Sequence, residues 1–386
     1  MNKQNFYNII DLGRSKIRLS IFDAYQNKIF SESYETENKD IFLNNICQIT
    51  DLIKKAEKKI SSHIEDLLLI LDSSKLLTID ISIDKSYENN LKIEDVYDSI
   101  KLEVMQLINS NYLDYEILHL ILDYCIIDKK SYSHLPIEKR INNIKINFKI
   151  ISFPKKILNE IKETFKQKNL NVINIFCSSY TKSLHYLKNL KKNKHFFLDI
   201  GFARTSLVIF ENKKFKSINS VPIGSFHITS DISKVFDINY NDAEKIKKSF
   251  NQTETEFSYK EKDLSKNLSM KEIIDKNISI NTLKKVILYR VQEIIDLSFK
   301  QSSLSTYISN YESIDIFLIG DGSILFNNNS FYLENNFDFN SINFYKETDL
   351  DICKSGVSYF LKNYEMPKKP IKKSGIFERF FNFFAK

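Results

Sequence analysis

The sequence has no tryptophan and contains only four cysteines, five prolines and seven glycines in 386 residues. The cysteines are far apart and form no CxxC pair, so neither a zinc site nor a disulfide framework is predicted. We expect all four to be buried structural thiols, as free cysteines usually are. The six histidines are equally scattered, and a histidine metal site is therefore not indicated.

Long hydrophobic runs are also absent. No run approaches the ~18 to 20 apolar residues of a membrane-spanning helix, and the start MNKQNFYNII lacks the basic and then apolar order of a signal peptide. The net charge is +7, but lysines and acidic residues are mixed along the chain, which argues against a nucleic-acid surface. We therefore expect a cytoplasmic protein. Of its residues 42% are hydrophobic, which is enough to form the cores of more than one domain.

The chain contains two similar halves. Residues 6–34 alternate apolar and polar side chains in three bursts, a pattern typical of a β-meander, and a helical pattern and two strand patterns follow. The same order returns from His195, and each half begins with an Asp-aliphatic-Gly turn, at Asp11 and at Asp199. An internal repeat of this kind predicts a duplicated fold.

Two less regular pieces interrupt the halves. Residues 87–162 show helix, strand, strand and helix patterns, which predict an α+β insertion of about 80 residues. Residues 251–279 are polar and weakly periodic, so we expect loops and edge strands there. A strongly amphipathic helix, INTLKKVILYRVQEIIDLSF, is predicted to follow.

Paired Asp-aliphatic-Gly hairpins suit phosphate binding. A phosphate held between two β-turns accepts hydrogen bonds from backbone N–H groups, and small residues allow the close approach. Asp11 and Asp199 end the two strands, where carboxylates can hold Mg²⁺ through its waters. A third turn, GDGS at 320–323, is a plausible seat for a base and ribose, although each turn taken alone also fits a plain loop.

These motifs resemble those of a known family. DLGRSKIRL resembles the first phosphate loop of the actin-like ATPases, LDIGFARTSLVIF the second, and IGDGSIL the adenosine loop. The segment VPIGSFHITSDISKVFDINYNDAEKIKKSF resembles FtsA, the bacterial division protein that tethers FtsZ filaments to the membrane, and EILHLILDYCIID resembles its small extra domain. The resemblance implies a duplicated α/β actin-like (ribonuclease H-like) fold, with two halves around a nucleotide cleft and an inserted α+β domain.

The resemblance also implies a division of the chain. It assigns a first half, the inserted domain, a second half with an outer subdomain, a Pro/Lys linker and an amphipathic membrane helix. The first half comprises residues 1–84, 164–193 and 349–366, and the inserted domain comprises residues 85–163. The second half comprises residues 194–231 and 305–348, with residues 232–304 as its outer subdomain. The linker is residues 367–374, and the membrane helix is residues 375–386.

The family pattern implies ATP as ligand and Mg²⁺ held through water by Asp11 and Asp199. The implied nucleotide-binding residues come from the three loops, from the start of the helix after the second loop, and from a Glu/Lys pair three residues apart on the next helix. They are Asp11, Gly13, Arg14, Ser15, Lys16, Asp199, Gly201, Arg204, Thr205, Gly224, Glu244, Lys247, Gly320, Gly322 and Ser323. Glu244 and Lys247 also fit a solvated helix pair.

The loops depart from the family pattern. The second has Phe202, Ala203 and Arg204 where small residues are usual, the first has Arg14, and the third has Asp321. Two interpretations follow: the two arginines contact the phosphates directly, or nucleotide binding has weakened or vanished and the fold is a scaffold. Serine at 206, where the family has aspartate, predicts at most weak ATPase activity.

The amino-acid composition changes near the end of the sequence. Prolines and lysines form an extended basic linker, and IFERFFNFF follows, whose apolar residues all fall on one face of a helix. Such a helix lies in the interface of an anionic membrane; docking on the protein's own core is the alternative. The predicted membrane-binding residues are Lys372, Lys373, Ile376, Phe377, Arg379, Phe380, Phe381, Phe383 and Phe384.

The FtsA resemblance implies a peripheral protein on the inner face of the cell membrane at the division site. Its implied partners are the FtsZ C-terminal tail, further copies of itself in filaments, and other division proteins, with no nucleic acid. The tail would dock on the outer subdomain near Arg290, which also fits an ordinary solvated helix residue. The alternatives are a small-metabolite kinase of the same fold and a pilus- or secretion-assembly actin homologue.

Overall fold

The computed structural model describes residues 6–36, 45–188, 190, 193–252, 279–300, 315–326 and 339–364. The strands are β1 (Tyr7–Leu12), β2 (Lys16–Phe22), β3 (Lys28–Glu35), β4 (Asp66–Leu71), β5 (Leu77–Lys92), β6 (Tyr115–Ile127), β7 (Lys130–Tyr132), β8 (Arg140–Pro154), β9 (Asn171–Cys177), β10 (Lys194–Ile200), β11 (Thr205–Glu211), β12 (Lys214–Val221), β13 (Asp315–Ile319) and β14 (Ser341–Phe344). The helices are α1 (Ile46–Ile60), α2 (Ile93–Asn111), α3 (Lys155–Lys166), α4 (Ser178–Leu187), α5 (Ser225–Val235), α6 (Tyr240–Gln252), α7 (Ile280–Lys300) and α8 (Asp349–Asn363), with a 3-10 helix at Asp321–Phe326.

Two five-stranded sheets share one topology. Their strand orders are β3-β2-β1-β4-β9 and β12-β11-β10-β13-β14, and in each a three-stranded antiparallel meander is extended by two parallel strands. Asp11 pairs with Arg18 and Asp199 pairs with Ser206 at equivalent places in the two hairpins. The duplicated α/β fold predicted from the sequence is therefore confirmed.

The inserted unit is a four-stranded antiparallel sheet, β5-β8-β6-β7, covered by α2. Strand β5 already begins at Leu77, before position 85. The unit also contacts the second half: the Thr78 hydroxyl donates to the Ile218 carbonyl at 3.0 Å, and the Lys214 ammonium donates to the Asp123 carbonyl at 2.8 Å. The insertion therefore touches both sheets.

The buried cores lie around the central strands. β4 and β13 are short apolar runs whose residues are almost all buried, as expected for parallel strands covered on both faces. Cys125, Cys177 and Cys353 are buried. The prediction of four buried thiols is wrong for Cys47, because it lies off the apolar face that α1 packs inward.

Helix α8 returns to the first sheet late in the sequence. A Cβ atom added at Gly356 would lie 2.5 Å from Cδ1 of Ile9 and 2.8 Å from Cγ2 of Ile70, so the helix lies close against β1 and β4. Thr348 caps the helix by accepting a hydrogen bond from the Asp351 backbone N–H. This packing places the first helical residue, Asp349, beside the first hairpin.

Some predicted elements lie outside the described residues. They are the loops and edge strands expected across most of residues 251–279, the linker at 367–374 and the membrane helix at 375–386. Among the described helices, none has both the length and the apolar character that crossing a membrane requires.

Candidate functional site

A cleft of about 470 Å³ opens where the two sheets face each other. Strand β1 brings Asp11 to its wall, and the first and second loops contribute Gly13, Arg14, Phe202 and Arg204. The carboxyl ends of β1 and β10 meet at this point, as in other open sheets that place ligands beyond their strand ends. The structure therefore gathers the predicted phosphate loops around one cavity.

The first loop is a tight turn between β1 and β2. A Cβ atom added at Gly13 would lie 2.5 Å from the Lys16 carbonyl oxygen, which leaves room for glycine alone. The Ser15 carbonyl accepts a hydrogen bond from the Thr36 N–H at 3.0 Å, which ties the turn to the end of β3. Arg14 at the tip is exposed and lines the cleft.

The second loop is closed by its own hydrogen bonds. The Gly201 N–H donates to the Arg204 carbonyl at 2.9 Å, and two N–H groups at the start of α5, those of Ser225 and Phe226, donate to the carbonyls of Gly201 and Phe202 at 3.0 and 2.8 Å. N–H groups at a helix N-terminus bind phosphate in many proteins. Here two of those at the start of α5 donate to carbonyls of the second loop instead. The Phe202 ring packs against Phe226 with centroids 5.3 Å apart, which accounts for the large residue in this loop.

Gly224 is expected to be essential to this loop. A Cβ atom there would lie 2.5 Å from the Gly201 carbonyl oxygen and 2.8 Å from the Arg204 nitrogen. Its φ of −159° suits any residue, so the effect of substitution is steric. We expect Gly224→Ala to lower the free energy of unfolding by about 1–3 kcal/mol in urea titrations. The exposed Lys234→Ala change on the same helix should stay within about 0.5 kcal/mol; equal stability of the two variants would contradict the close approach.

The third loop turns on Gly320, whose φ of 88° favours glycine. The predicted GDGS turn forms the start of the 3-10 helix, and the Ser323 hydroxyl donates to the Gly320 carbonyl at 2.7 Å. The Gly320 N–H donates to Glu347 at 2.6 Å. Asp321, the departure from the family pattern, lines the cleft.

A second cavity of about 320 Å³ joins the first loop to the third. Ser15, Lys16, Glu244, Lys247 and Gly322 line it, so the structure brings these predicted residues together. The Lys247 ammonium is buried and donates to the Ser225 carbonyl, the Thr229 hydroxyl and Glu244. The interpretation of a solvated helix pair is therefore wrong for Lys247. Burial would raise the pKa of Glu244, but the charge of Lys247 and the hydrogen bonds from Lys247 and Thr229 outweigh burial. The pKa of Glu244 is therefore below its ordinary value.

Arg18 forms ion pairs with the carboxylates on the side of the first loop. Its guanidinium donates to Asp11 and to Asp349, both at 2.7 Å, and also bonds Asp321. Burial raises the pKa of Asp11 and the charge of Arg18 opposes that rise, with a net increase. Lys16 adds an ion pair of 2.8 Å to Asp349, and the hydrogen bonds from Lys16 and Arg18 outweigh burial and lower the pKa of Asp349 to about 2.

Lys182 and Arg204 form ion pairs with the carboxylates on the side of the second loop. The Lys182 ammonium donates to Asp199 at 2.8 Å and to Glu347 at 3.2 Å. The Arg204 guanidinium donates to Asp199 and to the Ser206 hydroxyl, each at 3.0 Å, and bonds Asp72. Burial alone would raise the pKa of Asp199, but the two cations hold it well below its ordinary value.

Four of these pairs connect the two halves, and one of them is Lys182–Glu347. Arg18 on β2 reaches Asp321 beyond β13, Lys182 on α4 reaches Asp199 on β10, and Arg204 before β11 reaches Asp72 beyond β4. Asp72 in turn accepts hydrogen bonds from the Ser179 N–H at 3.0 Å and its hydroxyl at 2.8 Å. Two sets of ion pairs thus form the floor of the cleft, one around Arg18 and one around Lys182 and Arg204.

Sequence reasoning missed Arg18, Asp72, Lys182, Glu347 and Asp349. A signal existed for two of them. Asp72 ends the buried run LLLILD, and a strand parallel to β1 brings its end to the same sheet edge; Arg18 faces Asp11 in the hairpin register. The positions of Lys182, Glu347 and Asp349 depend on contacts between distant parts of the chain.

The predicted magnesium residues lie where the sequence placed them, but in surroundings that do not suit the metal. Asp11 is bonded to Arg18, and Asp199 to Lys182 and Arg204. Within the described ranges, no three acidic, histidine or cysteine side chains converge as a metal ion would require. The magnesium role of Asp11 and Asp199 therefore stays a prediction, and these neighbours argue against it.

Other predicted residues lie away from the cavities. The Thr205 hydroxyl donates to the Ile223 carbonyl at 2.7 Å and is buried within the sheet. Arg290 on α7 forms a two-point contact with Asp231 on α5, at 2.5 and 2.9 Å, and donates to Glu293 at 2.6 Å. The predicted membrane-binding residues from 372 to 384 lie outside the described part of the chain.

The two matching sheets and the cleft between them define an actin-like fold. A solved structure titled "PilM-PilN type IV pilus biogenesis complex" superimposes with a TM-score of 0.58 at 12% identity, covering 95% of this chain and 100% of the other. At that identity the likeness shows the fold alone.

The sequence comparisons are more specific. Residues 196–344 match the family "Cell division protein FtsA". Proteins of that name from two strains of Staphylococcus epidermidis, ATCC 12228 and ATCC 35984, are each 21% identical over 254 residues, which are 64% of this chain and 54% of theirs. The chain thus spans about half the length of these relatives. The resemblance to FtsA is confirmed, and the chain has an actin-like fold.

Proposed function

We propose that this protein is an FtsA-like cell-division protein that tethers FtsZ filaments to the inner face of the cytoplasmic membrane. The match of residues 196–344 to the FtsA family carries the proposal. The basic linker and the aromatic amphipathic pattern of residues 367–386 support it, because they supply an anchor that needs no membrane-spanning helix. In this role the protein assembles with copies of itself and recruits further division proteins.

The proposed nucleotide site is the pair of cavities between the halves. The larger one is lined by the first and second loops, and the smaller one by Glu244, Lys247 and Gly322, where a base and ribose would lie. Ser206 bonds Ser220 at 2.9 Å and Arg204 at 3.0 Å, so position 206 offers no carboxylate to orient a water. We therefore propose ATP as ligand, with weak hydrolysis at most.

The cleft chemistry disfavours a metabolite kinase. A kinase of this fold needs a carboxylate free to act as general base. Asp11, Asp72, Asp199 and Glu347 are each bonded to Arg18, Lys182 or Arg204. The likeness to a pilus biogenesis complex keeps a pilus-assembly role as second candidate, and the amphipathic pattern of residues 376–384 favours the division role over it.

The proposed FtsZ-binding surface surrounds the α5–α7 contact. Arg290 is partly exposed and its two-point bond to Asp231 holds the guanidinium in a fixed orientation. A fixed guanidinium loses little conformational entropy when it binds a carboxylate or a peptide carbonyl.

Binding of a synthetic FtsZ C-terminal peptide tests the proposal, because neither a kinase nor a pilus protein predicts it. We expect saturable fluorescence anisotropy with the peptide and none with its scrambled sequence. Arg290→Ala should weaken the affinity by about tenfold, or ~1.4 kcal/mol. Arg140→Ala on the exposed end of β8 is the matched control and should leave the affinity unchanged. Equal binding of the scrambled peptide would rule out the FtsZ role.

A further inference from the structure

We propose that the cleft binds the phosphates of a nucleotide without a divalent metal ion, because Arg18, Lys182 and Arg204 stand where the metal's charge would act. The inference rests on the proposed nucleotide site and concerns how that site neutralises the phosphates. It is independent of the FtsZ and membrane roles, which have their own tests.

The carboxylates that a metal ion would need are already bonded to cations of the protein. Mg²⁺ binds through oxygen ligands and keeps several waters. Asp199 is fully buried between Lys182 and Arg204, and Asp11 is buried against Arg18. A divalent ion placed at these oxygens would have to displace contacts of 2.7–3.0 Å with Arg18, Lys182 and Arg204, whose side chains are only 5%, 6% and 17% exposed.

Two exposed cations of the larger cavity are left to bind the phosphates. Arg14 and Lys75 line the larger cavity and are exposed, one in the first loop and the other just beyond β4. Arginine and lysine bind phosphate oxygens directly by charge-assisted hydrogen bonds. The cavity therefore has cations paired with carboxylates on its floor and the exposed Arg14 and Lys75 on its wall.

Ion pairs between the two halves preorganise the site. The pairs Arg18–Asp321, Lys182–Asp199 and Arg204–Asp72 each join one half of the fold to the other. The two phosphate loops are thus held face to face by the protein's own charges. A site already assembled in this way needs no metal to draw its walls together.

The test is a titration of a fluorescent ATP analogue, once with excess EDTA and once with saturating Mg²⁺. We expect dissociation constants within about twofold of each other. Tightening by Mg²⁺ of about tenfold or more would overturn the proposal, as would absence of binding under both conditions. Peptide and liposome binding measured on the same preparation show whether the FtsA-like role fails with it or survives.

Substitutions at position 204 sharpen the test. Arg204→Ala leaves Asp72 and Asp199 without one cation, so binding in EDTA should weaken by about tenfold and Mg²⁺ should restore it. Arg204→Lys keeps a cation and should stay independent of the metal. Arg14→Ala should weaken binding equally with and without Mg²⁺, since it removes a phosphate contact and frees no carboxylate. If Arg204→Ala gains no metal dependence while circular dichroism shows it folded, the cation is not acting in place of the metal.

Discussion

Replacing Lys182 by methionine should lower the free energy of unfolding by about 3–5 kcal/mol, the range found when one partner of a buried ion pair is removed. The Lys182 ammonium lies between Asp199 and Glu347, whose side chains are 0% and 2% exposed. Methionine fills a similar volume but leaves these two carboxylates without the cation. The main cost is therefore the unbalanced burial of negative charge, and no cavity is expected.

The free energy of unfolding lost in Lys182→Met should depend on pH. Burial already raises the folded-state pKa of Glu347 although Lys182 opposes the rise, so removing Lys182 should raise it further above its unfolded value, while Asp199 keeps Arg204. A carboxyl pKa raised by folding favours the folded state at low pH, and that advantage is lost as the pH rises through the folded pKa. The deficit of Lys182→Met should thus be smaller at pH 5 than at pH 8.

Urea unfolding followed by circular dichroism at the two pH values measures the effect. Lys58→Met, at an exposed position near the end of α1, is the matched control and should change stability by less than about 0.5 kcal/mol. Adding Glu347→Gln to Lys182→Met should recover part of the loss, because one buried charge is removed. A deficit equal to that of the control would show that the ion pairs do not hold the cleft together.

The sequence predicted the framework because its signals are local. Alternating apolar residues mark the meander of β1 to β3, and the Asp-aliphatic-Gly turns repeat at Asp11 and Asp199. Register within a hairpin follows from neighbouring residues, so the predicted loops lie at the ends of β1 and β10 as expected. The inserted unit was visible for the same reason, although its first strand starts at Leu77 and so blurs the expected boundary.

The charge network was not predictable in the same way. Arg204 and Asp72 are 132 positions apart, and Lys182 and Glu347 are 165 apart. No periodicity connects such pairs, and lysines and acidic residues are common throughout this chain. The unusual second loop raised the question of Arg204, but only the assembled cleft shows that its guanidinium bonds carboxylates on both halves.

The proposed membrane role depends on residues whose chemistry is read from the sequence. On a helix, the five phenylalanines and one isoleucine between positions 376 and 384 would share one face, and Lys372 and Lys373 precede them. Burial of each large side chain contributes up to about 1.5–3 kcal/mol, and each basic residue near an anionic surface adds about 1 kcal/mol. The apolar term dominates, while the basic term makes binding dependent on lipid charge and salt.

Deleting residues 376–386 should therefore lower the partition onto anionic liposomes by at least about 100-fold, close to background in co-sedimentation. The double change Phe380→Glu and Phe384→Glu should act similarly, because it puts two charges on the apolar face. Asn382→Ala on the polar face is the matched control and should bind like the unaltered protein. Neutral liposomes and high salt should weaken binding of the full chain, since both remove the attraction of the lysines for the surface. Retained binding after the deletion would assign the anchor to another surface and remove the amphipathic segment from the mechanism.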